Sequence, residues 1–222
     1  MIGVVMADDA GDAAAYAERG FVVIRDFASE AEVRKLKESM AKQVEAWNPT
    51  AEELAVFTTS EEQRHAHSKL FFESANTVEF FVEKDALGED APVLVVPKEH
   101  AINKAGHAIH EVNDAFREWA GSKRVRDVCT KLAKLEVPVA VQSMYIFKPP
   151  KIGGEVVPHQ DSTFLYTTPR PTCVGLWLAL DDATEENGCI YASPGSHVHG
   201  IKRRFVRRAR TPWPSARCLA GC

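Results

Sequence analysis

The periodicity of this chain changes once, near residue 136, and that change limits the fold more than any other feature. Up to Leu135 the apolar residues recur mostly at helical spacing. From Val137 onward they come in short β-rich runs broken by prolines, glycines and acidic turns. Helices first and strands later predict an α+β, mainly β architecture, with helices packed outside a sheet or barrel.

The first half reads in some detail. Residues 8–19 predict a short helix ending at Gly20, and Phe21–Phe27 (FVVIRDF) predicts a strand. Ser29 with Glu32 three residues on is a capping box. Val33, Leu36, Met40 and Val44 then give the following helix one apolar face, ending near Asn48-Pro49. Residues 50–76 are polar and irregular, and Val78–Val82 predicts a strand. Glu111–Ala120 and Lys123–Leu135 predict two helices, with Gly121 as a C-cap between them. In the second half, Val137–Lys148 (VPVAVQSMYIFK), Cys173–Asp182 and the start of Gly188–His197 predict strands, the last running into a Pro-Gly turn. There is no internal repeat and no low-complexity linker, so the pattern predicts one domain.

Composition narrows the class. Apolar residues at 45% and charged residues at 26% are ordinary for a globular protein. No apolar run approaches the ~18 residues of a membrane helix. The N-terminus lacks the basic start of a signal peptide. Five cysteines, odd in number, widely spaced and without CxxC, fit neither a disulfide scaffold nor a structural zinc site. They predict reduced thiols and a cytoplasmic location. The net charge of −4 hides an asymmetry: Gly200 to Cys222 holds seven basic residues and no acidic one, leaving −11 for residues 1–199 (20 basic against 31 acidic). An acidic body argues against nucleic acid as a partner.

The candidate chemistry lies in VVPHQDSTFLY, Val156 to Tyr166. His159 and Asp161 are two apart. On an extended chain such residues project to one side, roughly 6–7 Å apart at ~3.3 Å rise per residue. An imidazole nitrogen and a carboxylate oxygen can then reach one metal ion. Two histidines and one carboxylate make the facial triad that binds Fe(II) and leaves the opposite face open. Spacing alone is weak, since a chance His-x-Asp arises in about every second chain of this histidine content. The residues leave two readings open: a solvated turn, or two-thirds of an iron site.

Longer motifs decide between them. QSMYIFKPPKIGGEVVPHQDSTFLYT followed by GLWLALDDATEENGCIYASPGSH resembles the phytanoyl-CoA dioxygenase family, and INKAGHAIH (Ile102–His110) and the early ERGFVVIRDF match it in order. The resemblance runs from about Tyr16 to Arg208. It implies a double-stranded β-helix, the cupin-like jelly-roll, with packed N-terminal helices. It implies a dioxygenase dependent on Fe(II) and 2-oxoglutarate, with ascorbate as reductant, that hydroxylates a small organic substrate and releases succinate and CO2. It implies that His159 and Asp161 hold the metal and that Lys104, Met144 and Trp177 line the 2-oxoglutarate pocket. The chemistry is consistent: an ammonium suits one end of a dicarboxylate, Met144 shares a strand face with Ile146, and small neighbours flank Trp177. Without the resemblance, Met144 and Trp177 read as core packing and Lys104 as a surface lysine.

The sequence departs from the family pattern at its end. A second downstream histidine, and an arginine shortly beyond it for the distal carboxylate, are absent; the last histidine is His199. His197 or His199 in SHVHG is the available substitute ligand, though the plainer expectation is that His197 flanks the pocket and His199 is exposed. His65, His67, His107 and His110 are not expected to be ligands. We therefore expect a shortened oxygenase-like domain over residues 1–208, an incomplete barrel, and a disordered non-family tail over 209–222. Beside an oxygenase stands the alternative of a domain that binds 2-oxoglutarate or a partner without turnover. A basic interaction module through Lys202–Arg208 is a third and weaker reading.

Overall fold

Ser29 opens the longest helix in the way its capping box predicts. The computed structural model describes residues 2–3, 11–57, 69–89 and 92–206. After β1 (Ile2–Gly3) come α1 (Gly11–Arg19) and α2 (Glu30–Ala46). The Ser29 hydroxyl accepts from the Glu32 amide at 3.3 Å, and the Glu32 carboxylate accepts from the Ser29 amide at 2.8 Å. Two amides that a helix start leaves unpaired are thereby satisfied. These bonds hold the Glu32 carboxyl below its usual range. α2 contains no glycine or proline and buries Leu36, Met40 and Val44 as one stripe. α1 stops at Gly20, whose φ of +83° suits glycine.

The stripe of α2 packs on a four-stranded mixed sheet. Its strands are β2 (Ala55–Val56), β3 (Val78–Val82), β4 (Ile102–His107) and β5 (Ser143–Ile146), in that order. β2 runs parallel to β3, and the other two pairs are antiparallel. α3 (Lys69–Glu73) precedes β3, and α4 (Lys98–Ala101) and α5 (Ile109–Val112) bracket β4. α6 (Asp114–Ala120) and α7 (Lys123–Asp127) lead towards β5. A short β6 (Gly175–Leu176) pairs in parallel with β1. This is the α+β class the sequence predicts.

The main core joins Met40 and Val44 of α2 to Phe80, Ile102, Ala105 and Ile109, with Trp47, Tyr145 and Phe147 against it. Each fully buried large side chain here contributes about 1.5–3 kcal/mol. Strand alternation on β5 sends Tyr145 into this core, as it does Phe147 just beyond the strand. Met144 and Ile146 face the other way, 47% and 41% exposed. A second cluster gathers Leu54, Leu94 and Ile152 around Val82, Ala86 and Ala101.

Several elements are shorter than expected. Residues 21–27 bury Val22 and Ile24 and expose Val23, so the alternation is real, yet the segment turns at Asp26 (φ +54°) and forms no strand. Of Val137–Lys148 only Ser143–Ile146 is strand, and Val137, Val139 and Val141 are exposed. Of Cys173–Asp182 only Gly175–Leu176 is strand, and Gly188–His197 holds none. β-propensity supplies extended backbone; a ladder also needs a neighbour to pair with. The helix expected over 111–120 breaks at Asn113, whose side chain accepts from the Ala115 and Phe116 amides and starts α6 afresh. The one expected over 123–135 passes into a π-helical turn at Val128–Leu132. Among the described residues no helix is long and apolar enough to cross a membrane.

Candidate metal and cosubstrate site

His159 and Asp161 lie in the connection between β5 and β6, at the entrance to a 3₁₀ turn over Asp161–Thr163. They are not on a strand as expected, but Gln160 between them is extended (φ −112°, ψ 129°), so its two neighbours project to one side. His159 Nε2 and Asp161 Oδ1 come to 3.3 Å, each side chain about one-third exposed (32%). Two ligand atoms at about 2.1 Å from one octahedral ion, in adjacent positions, lie about 3 Å apart. The pair fits that geometry. His159 Nδ1 lies 2.8 Å from the Val157 carbonyl, which only a protonated Nδ1 can bond. In the neutral ring the lone pair is then on Nε2, the atom facing Asp161, which is the tautomer a metal needs. In the protonated ring Nε2–H instead donates to Asp161, and that bond, with the one to Val157, raises the His159 pKa against the opposing effect of burial.

A second segment backs this loop. The Phe164 ring stands 6.0 Å from His159 and 5.9 Å from Phe205. The Phe205 amide donates to the Thr163 carbonyl at 2.8 Å. Gln160 clamps the same stretch, donating to the Gly200 carbonyl at 3.0 Å and accepting from the Lys202 amide at 2.9 Å.

Lys104 and Met144 meet. Both lie on one face of the β4–β5 pair, where Lys104 is registered with Ile146 and Gly106 with Met144. Lys104 Nζ is 3.7 Å from Met144 Sδ. The lysine is 4% exposed, so it is not a surface residue, and Met144 at 47% is not core. The ammonium sits 3.2 Å over the Phe57 ring centroid, with Phe81 at 5.5 Å and Phe71 at 5.8 Å. Three aromatic faces hold it by cation–π attraction, and no carboxylate pairs with it among the described residues. Burial without a counter-ion lowers its pKa from 10.5 to about 7. A carboxylate ligand is the natural complement of such a group. Trp177 is half-buried just past the end of β6, and the structure does not bring it against Lys104 or Met144 by any hydrogen bond or ring contact.

The remaining histidines have other work. His197 Nε2 donates to the Ala17 carbonyl at 3.0 Å, and the Gly195 amide donates to the Arg19 carbonyl at 2.8 Å. The Pro-Gly-Ser-His turn thus caps the C-terminal end of α1, where carbonyls lack helical partners. His197 is committed there rather than beside the pocket, and His199 is exposed. The buried Ser74 hydroxyl donates to the Phe71 carbonyl and so accepts from His107 Nδ1, both at 2.7 Å. His110 Nδ1 bonds Ser143 at 2.6 Å. His65, His67 and the expected tail over 209–222 lie outside the described residues. Among the described residues no group of three His, Cys, Asp or Glu converges for a metal. Sequence reasoning missed the aromatic box around Lys104, whose members stand far apart in the chain; only the ring-rich character of residues 57, 71 and 81 hints at it.

Comparison with known proteins bears on this arrangement. The sequence profile described as phytanoyl-CoA dioxygenase (PhyH) matches residues 16–216, most of the chain. The chain belongs to the phytanoyl-CoA dioxygenase family. It is 46% identical over 188 residues to phytanoyl-CoA dioxygenase 1 of Oryza sativa subsp. japonica, covering 85% of this chain and 64% of the rice protein. It is 44% identical over 189 residues to the phytanoyl-CoA dioxygenase of Arabidopsis thaliana, covering 85% and 65%. It is 42% identical over 199 residues to phytanoyl-CoA dioxygenase domain-containing protein 1 of Bos taurus, covering 86% and 66%. The chain therefore spans just under two thirds of these family members. The matched span begins at Tyr16, where the sequence resemblance begins, and runs past Arg208.

Proposed function

We propose that this chain carries the core of an Fe(II)- and 2-oxoglutarate-dependent dioxygenase site that hydroxylates a small organic molecule. The observation that carries the reading is the approach of His159 Nε2 and Asp161 Oδ1 to 3.3 Å, with Nδ1 tied to Val157. Family membership supports it, and so does the buried Lys104 ammonium. On the same reading the strands described here belong to a jelly-roll barrel, and the free thiols of Cys129, Cys173 and Cys189 suit the cytoplasm.

Each residue has a defined task. His159 and Asp161 would hold Fe(II), with Val157 fixing the imidazole tautomer. Lys104 would bind one carboxylate of 2-oxoglutarate, aided by the aromatic faces that exclude water and strengthen the charge pair. Met144, across Gly106, would shape the same pocket, and Trp177, just past β6, is proposed to line it as well. The bound iron would supply oxygen chemistry, splitting 2-oxoglutarate and O2 into succinate, CO2 and one oxygen atom for a substrate C–H bond. The protein's part is ligation, orientation and dryness. Succinate release with Fe(II), ascorbate and 2-oxoglutarate tests the proposal. Asp161→Ala should abolish release; release at the parent rate would remove the pair from the site.

One observation favours a second reading. No third ligand joins His159 and Asp161 among the described residues, and two ligands hold Fe(II) more weakly than three. A domain that binds 2-oxoglutarate without turnover would show heat of binding in a calorimetric titration and no succinate.

A further inference from the structure

Glu83 follows β3, is 4% exposed, and carries a carboxyl group that the chemistry above does not use. No cation pairs with it among the described residues. A buried carboxylate without a cation is costly unless hydrogen bonds compensate it. Here each oxygen takes a different donor. Oε1 accepts from the Asn103 side-chain amide at 2.8 Å, and Oε2 accepts from the Gly154 backbone amide at 3.2 Å.

The two donors belong to the two halves of the proposed site. Asn103 is the neighbour of Lys104 on β4, and its carbonyl accepts from the Phe147 amide at 2.9 Å, beside β5. Gly154 stands five residues before His159, at the start of the extended lead-in to the ligand pair. The Glu83 amide donates to the Ala101 carbonyl at 2.8 Å, fixing Glu83 itself against the start of β4. Just before Gly154, Ile152 packs on Val82, Ala86 and Ala101. Apolar packing therefore sets the depth of this turn, and the Glu83 carboxylate sets its register.

We propose that Glu83 is a positioning residue that sets the metal-bearing loop against the cosubstrate-bearing strand, acting through Gly154 on one side and Asn103 on the other. The proposal rests on the reading of His159, Asp161 and Lys104 as site groups. The chemistry explains why the residue is an acid. Two N–H donors arrive from opposite sides, so the position needs two acceptors and no donor, and a carboxylate alone meets that need. A glutamine offers one acceptor and turns its own N–H groups on the other donor, so one partner must move away.

The test is Glu83→Gln in the full chain, followed by hydrogen exchange, thermal melting and Mn(II) titration. Exchange at the Gly154 amide, which Glu83 holds, should rise at least about tenfold while α2 and β3 keep their protection. Mn(II) affinity should fall about tenfold, the low end for changes behind metal ligands. Glu83→Asp, which keeps two acceptors on a shorter stem, should recover part of both effects. Unchanged exchange at Gly154 would overturn the proposal, as would a uniform rise across the chain, which marks a mere structural brace. If Glu83→Gln fails to fold, Asn103→Ala opens only the strand side. It should raise exchange selectively at Gly154, and a uniform or absent rise overturns the idea again. If the parent binds Mn(II) no better than His159→Ala, the metal reading fails, and the exchange data still decide the role of Glu83.

Discussion

Replacing Lys104 with methionine should make the protein more stable at neutral pH while removing the proposed affinity for 2-oxoglutarate. The fall in the Lys104 pKa from 10.5 to about 7, at about 1.4 kcal/mol per pH unit, sets the cost of charging this side chain in the fold near 5 kcal/mol. The direction with pH follows from proton counts. Above about pH 10.5 the lysine is neutral folded and unfolded, and there is no cost. Between 10.5 and 7 the unfolded chain binds a proton that the folded chain lacks, so stability falls as pH falls. Below 7 both states are charged and the full cost is present. Methionine keeps an unbranched chain among Phe57, Phe71 and Phe81 but gives up the cation–π attraction, about 2 kcal/mol when desolvated. The net gain is about 3 kcal/mol near pH 6.5, a rise in Tm on the order of 10 °C for a chain of this size. Melting of parent and variant from pH 6 to 10 measures it. The two curves should converge as pH rises. A variant no more stable than the parent at pH 6.5, or a parent whose Tm is flat across that range, would refute the picture of a buried, uncompensated ammonium.

Other outcomes follow from the same geometry. On the proposed reading 2-oxoglutarate meets a protonated Lys104 in the parent, so its affinity should be level below pH 7 and fall up to about tenfold per unit above pH 8. Calorimetric titration at several pH values reads this, and affinity independent of pH would show that Lys104 is not the anchor. Gly20→Ala should loosen the cap on α1. Its new Cβ would lie 2.4 Å from His197 Nδ1, and its φ of +83° strains any residue with a side chain. A loss of about 1–3 kcal/mol in denaturant unfolding is expected, and a neutral result would mean that His197 is not seated there.

The sequence revealed more of the local structure than of the long-range structure. α2 was legible because its cap, its stripe and its end all point to the same helix. β3 was legible from end to end because Val78–Val82 is both β-prone and bounded by turn residues. The faces of β5 were legible from alternation alone. The strands expected after residue 170 were not, because their extent depends on partners that local propensity does not specify. The candidate site divides along the same line. His159 and Asp161 are two residues apart, so their convergence is a local event. Lys104 carried no local sign of burial: Phe57, Phe71 and Phe81 are assembled around it only by the sheet. His197 illustrates the opposite error. Its place in a recognisable motif suggested the pocket, yet it serves the end of a helix nearly the whole chain away.

That clasp between His197 and Ala17 spans 180 residues. During synthesis α1 emerges long before its partner turn and waits with its last carbonyls open until the turn at Gly195–His199 leaves the ribosome. The residues that clamp Gln160 and back His159 follow immediately after that turn. Closing so long a loop is entropically costly, and the cost grows only logarithmically with length, so what matters is order in time. The helical half can settle as it is made, and the His159–Asp161 loop is clamped only after Gly200 and Lys202 exist. The pair proposed to hold a metal is therefore backed only after the helical half has been made.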